Sequence, residues 1–507
     1  MTTDTSEKGL ETIFIEGLCE HGWIQGTVVD FVPSFGLDLE QLRTFLRVTQ
    51  PAIEIQLDLA NDTATRNKSL DRIAKEITSR GIIDVLRNGV KHGPHQIDLF
   101  FGAPSPGNAK AKENYDANRF TAVRQLHYSP TDTLLSIDVC LMINGLPVFT
   151  IELKNKLTKQ SYKDAIEQYK TDRDPRELIF QFKRTIAHFA VDDQQIQFCT
   201  KLDGKSSWFL PFNKGNKDGA GNPPNPNGIM TSYLWEEILT RESLTNIIEN
   251  YAQTVEEETI DRKTNKPRKK YAQIFPRYHQ LDVVRKLLAD VEANGSGKKY
   301  LIQHSAGSGK SNSIAWLTHQ LVRIERETGG VTKPVFDSVI VVTDRKILDK
   351  QIRDTIKQFA QVGSMVGHAE KSSDLREMIT DGKKIIITTV QKFPYILDAI
   401  GDEHRERTFG IVIDEAHSSQ SGRTATALSR SLQAKTEADV VAVEGAEAPL
   451  PLPGFEEEES PDSENTDEDM INKVMESRKM ATNASYFAFT ATPKNKTLEM
   501  FGTPYNE

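Results

Sequence analysis

The sequence predicts an α/β protein of two domains, the second built on a parallel sheet, and three observations carry that prediction. The chain has 507 residues, too many for one hydrophobic core, so it must divide. A glycine-bearing turn, His304-Ser305-Ala306-Gly307-Ser308-Gly309-Lys310-Ser311, follows the strand-like run Lys299-Tyr300-Leu301-Ile302 and precedes a helical pattern from Asn312. That is the strand, turn and helix context of a phosphate-binding loop. Further on, Asp414-Glu415-Ala416-His417 ends the apolar run Phe409-Gly410-Ile411-Val412-Ile413. Its carboxylates are thereby expected at the C-terminal edge of a parallel sheet, where ligands bind in open α/β folds.

From the N-terminus, Leu10, Ile13, Phe14 and Leu18 have helical spacing, and Glu11 among them is expected to face solvent. Residues 133 to 154 then read as two apolar strands around an Asn144-Gly145 turn. On the second strand Glu152 and Lys154 are two apart and share a face. A two-residue loop would pair Asp138 with Ile151, on the wrong face. A three-residue loop, Asn144-Gly145-Leu146 with glycine left-handed, would set Asp138 opposite Glu152. Two carboxylates and a lysine are costly to bury unless they bind something charged, and Ile151, Leu153, Phe149 and Val148 mark the strand as buried. Mg²⁺ held by Asp138 and Glu152, with Lys154 orienting or deprotonating a water, explains the set as a site for phosphodiester hydrolysis.

Late in the first domain, Trp208 to Gly219 leaves the core with aromatic anchors at Trp208, Phe209 and Phe212 and turns basic at Lys214 and Lys217, and Asn213 to Gly228 reads as a loop. Asn222-Pro223-Pro224-Asn225 has no following aromatic and no glycine-rich cofactor loop beside it, which excludes a methyltransferase. Residues 255 to 272 have almost no apolar content and are expected to be a solvated linker.

In the second domain the glycines Gly307 and Gly309, with Ser308 between them, let backbone N–H groups wrap phosphates, and the following helix adds its positive end. Lys310 is placed against the β- and γ-phosphates of ATP, Ser311 and Asp414 at Mg²⁺, and Glu415 at the attacking water. His304 stands where the first glycine of such loops usually is. Upstream lies Arg277-Tyr278-His279-Gln280, and downstream lie Thr343-Asp344-Arg345, Thr388-Thr389-Val390-Gln391 and Thr490-Ala491-Thr492-Pro493. The ordered series resembles superfamily 2 helicases. That resemblance implies that Gln280 reads adenine, that Thr343 to Arg345 and Thr388 to Gln391 contact one DNA strand, and that Thr490 to Thr492 link nucleotide state to DNA grip.

The Asp138, Glu152 and Lys154 set resembles the PD-(D/E)xK nuclease fold. Glu152-Leu153-Lys154-Asn155, Asp164-Ala165-Ile166-Glu167-Gln168-Tyr169, Asp172-Arg173-Asp174-Pro175 and Phe209-Leu210-Pro211-Phe212-Asn213-Lys214-Gly215 look like the restriction subunit of type I restriction-modification enzymes. The resemblance implies an endonuclease domain over 1–252, a linker over 253–272 and a first RecA-like lobe over 273–507 with an acidic insertion around 435–480. It also implies cleavage of double-stranded DNA away from the recognised sequence, with methyltransferase and specificity subunits as partners. Gln168 takes the family's glutamine position near the active site; the tyrosine expected four residues on is Asp172 here, and Tyr169 is adjacent instead. A DNA-repair helicase-nuclease usually places its nuclease after the motor, and the order here is the reverse; a DNA-binding or assembly module with a relic active site is opposed by the complete Asp138, Glu152 and Lys154 set. The chain stops shortly after Thr490-Ala491-Thr492, so it is expected to be the N-terminal part of a longer protein, poor in ATP turnover by itself.

Composition fits this reading. The net charge is −9, but residues 456–469 carry nine acidic and no basic side chains, so the remainder balances and DNA binding rests on local basic patches. Three scattered cysteines exclude a disulfide framework or structural zinc site and indicate a reducing compartment. No apolar run exceeds strand length, which points to a cytoplasmic protein without membrane insertion.

Overall fold

A computed structural model of the chain describes residues 7–155, 159–217, 219–260, 267–305, 307–328, 330–343, 346–357, 365–369, 371–389, 396, 404–414, 483–493, 498 and 501. Glu415, Asp344, Arg345, Val390, Gln391 and the acidic insertion lie outside the described residues. The chain divides into two units, Met1–His279 and Gln280–Glu507, and both are α/β.

In the first unit seven strands form one mixed sheet: β1 (Ile24–Gln25), β2 (Phe120–His127), β3 (Ser136–Ile143), β4 (Leu146–Leu153), β5 (Ala187–Val191), β6 (Ile196–Cys199) and β7 (Leu210–Pro211), neighbours in that order. The centre is antiparallel across β2, β3 and β4, while β4 and β5 run parallel. β4 is buried along its whole length, as its β-branched and aromatic residues favour. Its odd-numbered side chains join an aromatic cluster in which Phe149, Phe189, Phe198, Phe212 and Phe275 meet mostly edge to face. The opposite face carries Thr150, Glu152 and Lys154. Helix α1 (Glu7–Glu20) packs against this sheet, and helix α2 (Tyr162–Thr171), started by a Ser161–Asp164 capping box, covers the second face.

The β3–β4 hairpin reaches the expected alignment by a different route. Ile143 pairs with Leu146 across a two-residue turn, Asn144 and Gly145, both at positive φ (51° and 82°) as a type I′ turn demands. The backbone of Asp38 crowds Gly145, so that a Cβ there would lie 2.2 Å from the Asp38 carbonyl oxygen. The register then shifts between Leu141 and Met142, where Val148 becomes an extra residue, and beyond it Val139 pairs with Ile151. One further step sets Asp138 across from Glu152. The three-residue loop is therefore corrected to a two-residue turn plus a bulge, placed beside Pro147, which has no N–H to donate to the ladder.

The expected linker is also corrected. Strands β8 (Gln253–Ile260) and β9 (Pro267–Ile274) form an antiparallel hairpin, with acidic positions of one strand opposite basic or aromatic positions of the other: Glu256 faces Tyr271, Glu257 faces Lys270 and Glu258 faces Lys269. Lys269 and Glu256 pair at 2.7 Å. Opposite charge, rather than apolar burial, supports this ribbon. Its base is fixed where Gln273 Nε2 donates to the carbonyls of Thr185 and Ile186, at 2.7 Å each.

A polar chain is buried beneath α2. Thr150 Oγ1 lies 2.9 Å from the Tyr169 hydroxyl and 2.7 Å from His188 Nδ1. Burial drives the His188 imidazole down to about 3 from its usual 6.5. A histidine depressed in this way supports the fold fully above the unfolded value and withdraws that support as pH falls toward 3. Between pH 7 and pH 4.5 the loss is about 2.5 kcal/mol. Denaturant midpoints across that range should fall, and His188→Gln should flatten the fall while lowering stability at neutral pH. An unchanged slope in the variant would remove His188 from the account.

In the second unit six strands are all parallel, in the order β10, β15, β14, β11, β13, β12: β10 (Lys299–Gln303), β11 (Ser338–Thr343), β12 (Val366–His368), β13 (Ile385–Thr389), β14 (Phe409–Asp414) and β15 (Ala484–Thr490). The central strands are buried end to end, the signature of a parallel sheet covered on both faces. Helices α3 (Tyr278–Asn294) and α4 (Lys310–Leu321) flank the phosphate loop in sequence.

Candidate functional site

The first unit brings Asp138, Glu152 and Lys154 to one place. Glu152 is wholly buried and Lys154 is 7% exposed, whereas Asp138 is half-buried at the rim. The N–H of Leu153 donates to Asp138 Oδ2 at 2.9 Å, tying the two strands at the level of the carboxylates. Burial raises the Glu152 carboxyl well above its usual range, and the Asp138 charge adds to that rise. Arg173 opposes it: its Nε donates to Glu152 Oε1 at 2.6 Å, and its guanidinium lies 5.8 Å above the Tyr128 ring. Glu152 Oε2 is buried with no hydrogen-bond donor. A buried ionisable oxygen without a donor is costly unless something charged meets it.

Two neighbours differ from expectation. Glu11 is 6% exposed, not solvent-facing, because Glu11, Phe14 and Leu18 lie on the one stripe of α1 that packs on the sheet. Its carboxylate accepts from Arg124 Nη2 and Gln125 Nε2, both at 2.7 Å. Gln168 is half-buried on α2, and no hydrogen bond joins it to Asp138 or Glu152 among the described residues. The adjacent Tyr169 reaches the face instead, through Thr150. Arg173, to which its segment Asp172-Arg173-Asp174-Pro175 assigns no role by pattern, is the group that contacts Glu152. Trp208 is 75% exposed and anchors nothing, while Phe212 is buried and Lys214 pairs with Glu237 at 2.5 Å.

The Arg173–Glu152 pair carries a stability prediction. Arg173→Met should cost about 3 kcal/mol, the lower end for breaking a buried pair, since Glu152 can take up a proton. Arg173→Lys should recover part of it. Denaturant unfolding measures both, and a cost under about 0.5 kcal/mol for Arg173→Met would make the pair energetically idle.

In the second unit the phosphate loop has Gly307 and Gly309 at φ 73° and 88°, and Gly309 caps α4. This left-handed backbone is what turns successive N–H groups toward one anion. Gln280, 4% exposed, donates from Nε2 to the Gly309 carbonyl at 2.9 Å. His304 is buried and replaces a glycine with a tether: its ring contacts Ser308 Oγ and lies 3.1 Å from Ser313 Oγ, and its N–H donates to the Thr490 carbonyl at 2.7 Å. Ser311 sits half-buried in the first turn of α4. Lys310 Nζ lies 2.9 Å from Asp414 Oδ1 at the end of β14, so both charged groups converge beside the loop. Asp414 is almost fully buried, and neither of its oxygens has an aligned hydrogen bond. Thr343, Thr388 and Thr389 end the adjacent strands β11 and β13.

Among the described residues, no group of three or more His, Cys, Asp or Glu side chains is arranged around a metal position, and no helix is long and apolar enough to cross a membrane.

Residues 4–207 match the family described as type I restriction enzyme R protein N terminus, and residues 279–445 match the SWI2/SNF2 ATPase family. The chain is 23% identical over 416 residues to a Methanocaldococcus jannaschii protein assigned as the type I restriction enzyme MjaVIIIP endonuclease subunit, covering 75% of this chain and 37% of that protein. It is 26% identical over 410 residues to the type I restriction enzyme HindI endonuclease subunit of Haemophilus influenzae, covering 76% and 35%. It thus spans about a third of the length of these relatives. A fragment structure from Vibrio vulnificus, assigned as an HsdR subunit, aligns over 73% of this chain and 49% of that one at 14% identity and a TM-score of 0.25.

Proposed function

We propose that this chain, whose residues 4–207 match the type I restriction enzyme R protein N terminus and whose residues 279–445 match the SWI2/SNF2 ATPase family, cuts double-stranded DNA at Asp138, Glu152 and Lys154 and couples that cutting to ATP-driven translocation through the phosphate loop. The observation that carries the reading is the buried Glu152 beside Asp138, with Oε2 undonated and Lys154 on the same face. The residues fit Mg²⁺, which takes one or two carboxylates and completes its shell with water and substrate phosphate. Bound there, Mg²⁺ supplies charge to the scissile phosphate and acidity to a water. Arg173 favours the anionic form of Glu152 against the effect of burial, and the Leu153 N–H holds Asp138 toward it. Lys154 orients the attacking water and offsets charge that develops on the phosphate.

In the second unit the loop N–H groups of Gly307 to Gly309 bind phosphates, Lys310 offsets their charge, Ser311 and Asp414 hold Mg²⁺, and Gln280 braces the loop backbone while reading the base. Glu415 orients water. The partners are double-stranded DNA and the methyltransferase and specificity subunits of a restriction-modification complex, with the cytoplasm as compartment. Copurified with those subunits, the protein containing this chain should linearise a circular plasmid bearing an unmethylated recognition sequence only when Mg²⁺ and ATP are both present. Cutting that ignores ATP, or failure to copurify with those subunits, would sink the restriction reading.

A further inference from the structure

One residue of the central sheet has a backbone conformation that an antiparallel strand does not use. Gln125 lies within β2 at φ 46°, in the left-handed region. The β2–β3 register pairs Arg124 with Val139 and Leu126 with Ile137, so the position opposite Gln125 belongs to Asp138, and that pair alone is missing from the ladder. A non-glycine residue gains nothing locally from such a backbone, and strain of this kind persists where surrounding groups fix it, most often at functional sites.

The surrounding groups are Glu11, Asp138 and Ser136. Gln125 Nε2 donates to Glu11 Oε1 at 2.7 Å and to Asp138 Oδ1 at 3.3 Å. Ser136 Oγ donates to Gln125 Oε1 at 3.2 Å. A hydroxyl donor at one end and two carboxylates at the other fix which end of the amide carries nitrogen, so its orientation follows from chemistry. Asp138 is then held at both oxygens, Oδ1 by Gln125 and Oδ2 by the Leu153 N–H. Glu11, anchored through Arg124, ties that arrangement to α1. Across the sheet, Gln125, Asp138 and Glu152 form one row over β2, β3 and β4.

We infer that Gln125 is a positioning residue for the nuclease centre: it sets the Asp138 carboxylate relative to Glu152 so that the pair presents one geometry to a divalent cation. This rests on the nuclease reading proposed above. Groups that orient a metal's carboxylate ligands are worth about 10- to 100-fold in affinity. The carboxylate it orients is half-exposed, which places the expected loss at the lower end.

The test is Mn²⁺ titration of this chain, followed by calorimetry, with thermal unfolding recorded alongside. Gln125→Gly removes the amide and also the left-handed strain, so it should bind Mn²⁺ about tenfold more weakly while unfolding at the same temperature or higher. Gln125→Ala should show the same loss of affinity. A residue serving the fold alone would give the reverse, with affinity kept and stability lowered. Affinity within twofold of the unsubstituted chain in Gln125→Gly overturns the inference, whatever Gln125→Ala does. Asp138→Ala is the control on the underlying reading. If the unsubstituted chain binds no Mn²⁺, or binds it equally well without Asp138, the nuclease centre itself is wrong and the inference falls with it.

Discussion

Glu152→Ala should abolish DNA cleavage by the assembled enzyme, by about a thousandfold or more, and leave DNA-stimulated ATP hydrolysis within twofold of normal. The first half follows from charge. Metal-held stabilisation of a phosphoryl transition state is worth several kcal/mol, and each 1.36 kcal/mol is about tenfold in rate. With Glu152 gone, Asp138 alone at the rim cannot hold the cation, and Arg173 becomes an uncompensated buried cation beside the scissile phosphate's intended counter-ion. The second half follows from the division of the chain, since Lys310 and Asp414 belong to a different unit from Glu152. Asp138→Ala and Lys154→Ala should give the same split. Glu152→Gln keeps the shape and removes the charge, so it should be as inactive as alanine while unfolding at a higher denaturant concentration. Rates of plasmid linearisation and phosphate release, taken on the same preparation, measure both halves. Near-normal cutting by any of these variants would remove the residue from the active site.

How much of this was legible in the sequence depended on whether chemistry or packing decided the position. The row of Asp138 and Glu152 could be inferred because a buried carboxylate pair makes sense only if the two meet. The path to it could not, because a bulge at Val148 and a longer turn at Gly145 produce the same downstream register. The turn is fixed by groups far away in sequence: the Asp38 backbone lies against Gly145, and the buried Asn144 side chain bonds Leu99, Asn118 and Arg119. The hairpin at 253–274 was missed for a related reason. Low apolar content was taken to mean no structure, yet its acidic half followed by its basic half is the pattern of two strands that pair by charge. Glu11 was readable and was misread, since its spacing to Phe14 and Leu18 already put it on the buried stripe of α1. Arg173 was beyond reach of pattern alone: it lies 21 positions from Glu152 in sequence, and only the fold sets them together. In the second unit the loop and Asp414 stood out because parallel α/β topology delivers strand ends to one edge, whereas Gln280, on helix α3, was legible only through the helicase resemblance.

Lys310→Ala should remove ATP hydrolysis, by at least about a hundredfold, as loss of a charged group acting on transferring phosphates does elsewhere. If cleavage waits on translocation, the same variant should stop cutting although Asp138, Glu152 and Lys154 are untouched. This asymmetry is the strongest expectation the two-unit arrangement yields: nuclease variants lose one activity and motor variants lose both. Folding must be separated from chemistry, because Lys310 is within 2.9 Å of a carboxylate that is 1% exposed, and its removal leaves that charge unbalanced. Asp414→Asn supplies the control. It neutralises the buried group, so it should unfold no earlier than the unsubstituted protein, yet it too should lose hydrolysis because the ion is no longer held. Nucleotide binding distinguishes the two variants further. A fluorescent ATP analogue should bind Asp414→Asn more tightly than Lys310→Ala, since the asparagine variant keeps the cation that faces the phosphates. Robust plasmid cutting by either variant with hydrolysis abolished would show that the nuclease centre works without the motor, and the coupling would have to be abandoned even though both sites stood.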